Sequence, residues 1–291
     1  MDNLTMPNCH ECEVKPYTPI TGASTGLGKA FAIQCAKKSM NLILVSLPGE
    51  ALVELCRQIA ETHQVKVVPF EADLTENESV QQLVNWVLSN FRVNFLINNV
   101  GIGGSHMFKD VSVASLEKMI RLNIGVTSLL TRHLIRELKS HPKAYILNVS
   151  SVIAFHPAAY KTVYPASKAF IYYFSRGLFQ EMRGSGLHVS VILPGPFATN
   201  ASVSQRIKKQ GLWGKILLLT PEKVAEIAIV KTLKKQSVII PGLGNKMSWL
   251  LMTVFPTRIL LSFISKRFST EIESTPDPEE NYISNLSHEK S

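Results

Sequence analysis

Tyr164 and Lys168 stand four residues apart in the run Tyr164-Pro165-Ala166-Ser167-Lys168. On a helix that spacing sets both side chains on one face, and proline at the second position suits a first helical turn. A phenol beside an ammonium is a proton-transfer device. A tyrosine in water titrates near 10, and bringing it to neutrality takes about 4 kcal/mol. A neighbouring cation favours the phenolate, and a second, ligand-borne cation in a partly dry site would favour it further. Tyr164 would then give a proton to a carbonyl oxygen or accept one from an alcohol. The plain alternative is an exposed helical pair, and context has to decide.

A second chemical feature follows Ile20. Thr21-Gly22-Ala23-Ser24-Thr25-Gly26-Leu27-Gly28 places three glycines between a strand and a helix. Glycine reaches positive φ and lets a backbone come close to a pyrophosphate. The helix behind it offers unpaired N–H groups and the positive end of its dipole. A carboxylate about 20 residues further on would bind a ribose 2′-hydroxyl and select NAD. Here the second strand ends in Ser46-Leu47-Pro48-Gly49 instead, and Glu50 reads as a first-turn helix carboxylate. The missing acid favours NADP over NAD, with Ser46 and Lys29 the nearest polar groups.

The elements that must hold these residues alternate. Asn41–Ser46, Lys66–Glu71, Val93–Asn99, Ala144–Val149 and His188–Leu193 read as short buried strands. Between them, helices are expected over Gly28–Lys38, Glu50–His63, Ser79–Asn90, Ser115–Ser140, Tyr164–Met182 and Pro221–Lys234. Alternation of this kind implies an α/β fold: βαβ units and a parallel sheet covered on both faces. Ligands then bind beyond the carboxyl ends of the strands. The first strand, Val14–Ile20, contains Pro16 and Pro19 and is expected to be short or irregular.

Composition bounds the rest. The 291 residues are 45% hydrophobic and 18% charged, a globular balance that excludes wholesale disorder. The net charge is +9, and because residues 270–291 carry −5 the remainder carries +14. A basic body favours anionic partners. No zinc-finger spacing and no aromatic-basic strand motif accompanies it, so nucleic acid is not an expected partner. Cys9-His10-Glu11-Cys12 offers at most three soft ligands with no second pair, and no metal is expected. Four cysteines and a polar start at Met1–Thr5 point to a reducing, cytoplasmic setting.

Taken together, the motifs resemble the short-chain dehydrogenase/reductase family, and particularly its hydroxysteroid dehydrogenase and 3-oxoacyl reductase branch. The glycine turn is similar to that family's Thr-Gly-x-x-x-Gly-x-Gly. Asn98-Asn99-Val100-Gly101 resembles its Asn-Asn-Ala-Gly, with Val for Ala. Ser151 precedes Tyr164 by the family's 13 residues, and Pro194-Gly195-Pro196-Phe197-Ala198-Thr199 resembles its Pro-Gly-x-x-x-Thr. Asn123 and the pair Asp73-Leu74 fall on further family positions. The likeness covers about residues 17–242.

That resemblance implies a single-domain, Rossmann-type doubly wound parallel sheet of about seven strands with helices on both faces. It implies that Ser151 binds the substrate oxygen, Tyr164 is the acid or base, Lys168 tunes Tyr164 and holds ribose, and Asn123 positions a water. Gly22, Ser24, Thr25, Gly26, Leu27 and Gly28 would form the cofactor turn, with Ser46 near the ribose. Asp73 and Leu74 would sit by adenine, Asn99, Val100 and Gly101 by the adenosine ribose, and Pro194, Gly195 and Thr199 by the nicotinamide. It also implies a homodimer or homotetramer packed through the two long helices. His156 and Tyr160, between Ser151 and Tyr164, are candidates for the substrate mouth.

The expected organisation is a flexible lead-in over 1–16, the nucleotide-binding catalytic domain over 17–245, an apolar-basic helical segment over 246–268 and an acidic, disordered tail over 269–291. Residues 200–219, with Arg206, Lys208, Lys209, Lys215 and Trp213, would be a substrate loop. The 246–268 segment approaches membrane-spanning length, but Pro256 and Arg258 interrupt it. It is read as an interfacial membrane anchor, as a cap over the substrate pocket or packing between subunits, or, least favoured, as a true membrane span. The expected activity is interconversion of a ketone and a secondary alcohol on an apolar substrate, a 3-oxoacyl chain, a steroid or another lipid. The alternative is a nucleotide-binding regulator that has lost catalysis.

Overall fold

A computed structural model of the chain describes residues 15–49, 51–76, 78–195 and 219–272. Glu50, Thr199 and nearly all of the expected lead-in, 200–219 loop and 269–291 tail lie outside the described residues; residues 269–272, expected to begin the disordered tail, continue the last helix instead.

The chain builds β1 (Tyr17–Thr21), α1 (Gly26–Ala36), β2 (Asn41–Ser46), α2 (Leu52–His63), β3 (Val67–Glu71), α3 (Ser79–Asn90) and β4 (Phe95–Asn98). Then follow α4 (Val113–Ile120), α5 (Thr127–Lys139), β5 (Ala144–Val149), α6 (Val163–Glu181) and β6 (Leu187–Ile192). The described part ends with α7 (Pro221–Leu233), β7 (Val238–Ile239), α8 (Leu243–Val254) and α9 (Thr257–Ile272). All seven strands pair in parallel in the order β3-β2-β1-β4-β5-β6-β7. The order reverses between β1 and β4, which is where such a sheet opens a crevice for ligands.

Both faces are covered, so the central strand β2 reads as an apolar run, Leu42–Val45, buried throughout. In β2, Leu42 and Leu44 pack among α1, α2 and α7, while Ile43 and Val45 pack on the other face among α3, α5 and α6. The helices supply matching stripes: α2 buries Leu52, Leu55, Cys56 and Ile59 at helical spacing. Thr220 caps α7 by accepting the Lys223 N–H, with Pro221 at the first helical position.

Three further expectations are corrected. The first strand is regular, five buried residues in full register with β2. Its proline is tolerated because pairing with β4 is sparse, Ile20 with Ile97 plus a bridge from Tyr17 to Val93, and skips Pro19. Helix α2 starts at Leu52 rather than at residue 50, because Ala51 takes the left-handed conformation, φ 52°. The long helix expected over Ser115–Ser140 is two α-helices joined by a π-turn, Arg121–Val126.

Candidate active site

Two strand-end turns are tied together at the sheet's switch point. The Thr21 hydroxyl accepts the N–H groups of Asn99 and Val100, at 3.0 and 3.1 Å. The Asn99 amide donates to the carbonyls of Thr21 and Gly22, at 2.9 and 3.0 Å. This closeness is why glycine is needed. Gly22 has φ +64°, and a Cβ there would lie 3.1 Å from the Asn99 amide nitrogen. A Cβ on Gly28 would collide with the Gly22 carbonyl oxygen. Helix α1 begins behind the turn with no side-chain cap from Thr25 and no acidic residue in its first turn. Its leading N–H donors and positive dipole end are left for an anion.

A cleft of about 690 Å³ opens over this turn, within the about 300–1,000 Å³ usual for small-molecule sites. The structure brings together along it Gly22, Ser24, Thr25, Gly26, Leu27, Gly28, Ser46, Asp73, Leu74, Asn99, Val100, Gly101, Ser151, Tyr164, Lys168, Pro194 and Gly195. Lys29 is exposed on α1 and does not line it. The glycine cradle, the open helix terminus and the volume of the crevice fit a dinucleotide.

At the far end lie the groups with proton chemistry. Ser151, the residue before a short 3₁₀ turn at Val152–Phe155, donates to the Pro194 carbonyl at 3.3 Å and is hydrogen-bonded to the Tyr164 phenol. Tyr164 and Lys168 share one face in the first turns of α6, as the spacing requires, with Lys168 Nζ 5.7 Å from the tyrosine ring centre. Lys168 Nζ donates to the Val149 carbonyl at 3.1 Å, and the Ser150 hydroxyl donates to the Lys168 carbonyl at 2.6 Å. Ser150 is thus the strand-end hydrogen-bonder its position implies.

Electrostatics depart from the expected pattern. Burial pushes the Tyr164 phenol above its ordinary 10, and only the Ser151 hydrogen bond pulls it down. Lys168 is buried, and loss of hydration lowers its amine to about 8. The ammonium therefore does not bring the phenol to neutrality in the chain alone. Asp73 is held below its usual range mainly by the Thr75 hydroxyl, aided by Thr75 N–H and Lys118.

Asn123 sits inside the π-turn, buried. Its amide oxygen accepts the Ile102 N–H at 2.8 Å, and its nitrogen donates to the Ile102 carbonyl and the Ser167 hydroxyl, both at 2.9 Å. A Cβ on Gly101 would come within 2.8 Å of the Asn123 oxygen and 3.3 Å of Lys168 Nζ, so both groups converge on that glycine. His156 and Tyr160 do not line the cleft. His156 is buried with Nδ1 2.7 Å from the Pro157 carbonyl. Tyr160 has φ 65°, and its carbonyl accepts the His106 N–H. The cleft also has walls that sequence reasoning passed over, among them Ile102, Lys118 and Leu122. Asn245 lies so close to Gly195 that a Cβ there would collide with its side-chain oxygen.

The family model for short chain dehydrogenase matches residues 17–210. The chain belongs to the short-chain dehydrogenase/reductase family. It is 35% identical over 190 residues to the very-long-chain 3-oxoacyl-CoA reductase of Anas platyrhynchos, covering 64% of this chain and 61% of that one. The chain thus spans about three fifths of the length of this and similar curated relatives. Among solved structures, a 7beta-hydroxysteroid dehydrogenase matches with TM-score 0.79 and 25% identity over 86% of this chain and 96% of that one. A short-chain dehydrogenase from Sphingobium yanoikuyae in complex with NADPH matches with TM-score 0.69 and 25% identity, over 83% and 96%.

Proposed function

We propose that the chain is an NAD(P)-dependent oxidoreductase interconverting a ketone and a secondary alcohol, running chiefly as an NADPH-dependent reductase of an apolar carbonyl compound such as a 3-oxoacyl chain, a steroid or another lipid. One observation carries this reading: Ser151, Tyr164 and Lys168 meet at one end of a glycine-cradled cleft fit for a dinucleotide. The relatives named as 3-oxoacyl and steroid enzymes, and the neighbour holding NADPH, support the substrate class and the cofactor.

The bound nicotinamide would supply the hydride; the protein supplies position and a proton. The glycine turn and the first N–H groups of α1 would hold the pyrophosphate. Lys168 Nζ would hold the nicotinamide ribose, and Ser151 Oγ would donate to the substrate oxygen and stabilise its growing charge. Tyr164 delivers its phenolic proton to that oxygen. Its raised pKa suits this direction, because the phenol enters the reaction protonated. By resemblance Thr199 would reach the nicotinamide amide, but it lies outside the described residues.

The same reading gives a homodimer or homotetramer, supported by Leu129 on α5 and Phe170 and Tyr173 on α6, large apolar side chains left exposed on the two long helices. It also gives a cytoplasmic enzyme associated peripherally with a membrane through residues 246–268.

The test is NADPH-dependent reduction of a panel of 3-oxoacyl, steroid and simple bulky ketones. Tyr164→Phe is expected to lower kcat/KM by about 10²–10⁴-fold with the thermal midpoint unchanged. Turnover indifferent to that change would defeat the assignment. Nucleotide binding without any turnover would make the chain a silent regulator instead.

A further inference from the structure

Helix α8 is arranged the wrong way round for a helix that packs on a protein. Asn245 and Trp249 face inward: Asn245 lies against Gly195, and the Trp249 ring stands 6.3 Å from that of Phe155. Outward, at helical spacing, stand Leu243, Met247, Leu250, Leu251 and Val254, between 41% and 83% exposed. The apolar surface continues through Phe255 and Ile259 at the start of α9. Contiguous exposed apolar surface of this kind marks an interaction site.

Its charge surroundings indicate the partner. Lys246, Arg258 and Lys266 are exposed along the two helices, and residues 227–270 contain no Asp or Glu at all. A second copy seated on this face would set these cations against an acid-free replica of themselves. An anionic bilayer would receive both features, the aliphatic side chains at the acyl boundary and the cations among the headgroups. Among the described residues no helix is long and apolar enough to cross a membrane, so the pair would lie on it.

We propose that α8 and α9 are a docking surface for an anionic lipid bilayer, held beside the segment that joins Ser151 to Tyr164. The inner sides of both helices hold the stretch between Ser151 and Tyr164. Trp249 meets Phe155, the Ser265 hydroxyl accepts the Ala159 N–H at 3.3 Å, and Lys161 Nζ lies 4.6 Å over the Phe268 ring. A lipid-borne ketone would then be brought close to the segment that joins Ser151 to Tyr164. That delivery rests on the reductase reading; the docking deepens the peripheral membrane association proposed above and does not depend on turnover.

The experiment is cosedimentation of the full chain, without nucleotide, with phosphatidylcholine vesicles carrying or lacking phosphatidylglycerol. Binding is expected to the anionic vesicles and to fall as salt rises. The triple change Lys246→Gln, Arg258→Gln, Lys266→Gln is expected to weaken it on the order of a hundredfold. Leu250→Gln with Val254→Gln, charges intact, is expected to weaken it at least about tenfold. All five side chains are exposed, and an unchanged circular-dichroism melt establishes that the variants fold. Three results would each overturn the proposal: no preference for anionic vesicles, undiminished binding by the triple variant, or a Leu250/Val254 variant that changes oligomeric state while vesicle binding persists. Ketone reduction in lipid-free solution is read separately, so loss of either result leaves the other standing.

Discussion

Helices α1 and α8 have nearly the same length, 11 and 12 residues, and each carries seven residues of the apolar types. In α1 seven residues are buried; in α8 none is. The difference lies in side-chain size and in what stands opposite. Helix α1 uses Ala30, Ala32 and Ala36 to approach the sheet and α7 closely, and spends its one large ring, Phe31, on the core. Helix α8 carries long aliphatic side chains on a face that no described element covers. Apolar content therefore measures the capacity for burial, whereas the next layer of structure decides whether burial happens.

Four measurements would break or sharpen that contrast. Phe31→Ala should destabilise the protein by about 3–5 kcal/mol in urea denaturation, as for a buried ring; a loss below 1 would mean α1 is not the core element described.

The enclosed Lys168 gives the second. Its folded pKa of about 8 lies below an ordinary 10.5, so between those values the unfolded chain binds more protons and stability rises with pH. Below 8 both states are protonated and the curve is flat. The rise should approach about 3 kcal/mol and vanish in Lys168→Met; the same rise in the variant would show that the amine is hydrated.

Trp249→Leu should forfeit an edge-on ring contact, about 0.5–1.5 kcal/mol, and speed amide exchange over 152–161. Unchanged exchange there would show that α8 does not hold that stretch. Smallest of all, Val254→Ala should shift stability by less than about 0.5 kcal/mol. A larger shift would place α8 in a packed interface.

Much of the framework was legible in the residues. β2, β5 and α3 fall on the expected boundaries, because turn residues bracket apolar runs with a single clear period. The glycine turn and the strand-end motifs meet along one cleft for the same reason: a parallel sheet delivers its carboxyl ends to one edge. Other features were hidden. The π-turn adds one residue to a helix whose apolar positions still recur at helical spacing. Lys118 and Leu122 reach the cleft, and Asn245 reaches Gly195 at its wall, from helices whose approach only the tertiary structure sets. The upward shift of Tyr164 depends on enclosure, which spacing to Lys168 does not reveal. The break at Pro256 was visible, but α8 begins before residue 246 and α9 runs past 268.

The π-turn at Arg121–Val126 restricts how this protein can change in length. Deleting one residue there would restore a regular helix, yet each residue turns a helix by about 100°. Asn123 would swing off Ile102 and Ser167, or else every residue of α5 beyond the deletion would rotate away from the sheet. The irregular turn thus fixes the residue count between the loop at Ile102 and the packing of Leu130 and Leu134, and the long helix can be neither trimmed nor smoothed without dismantling one end of it.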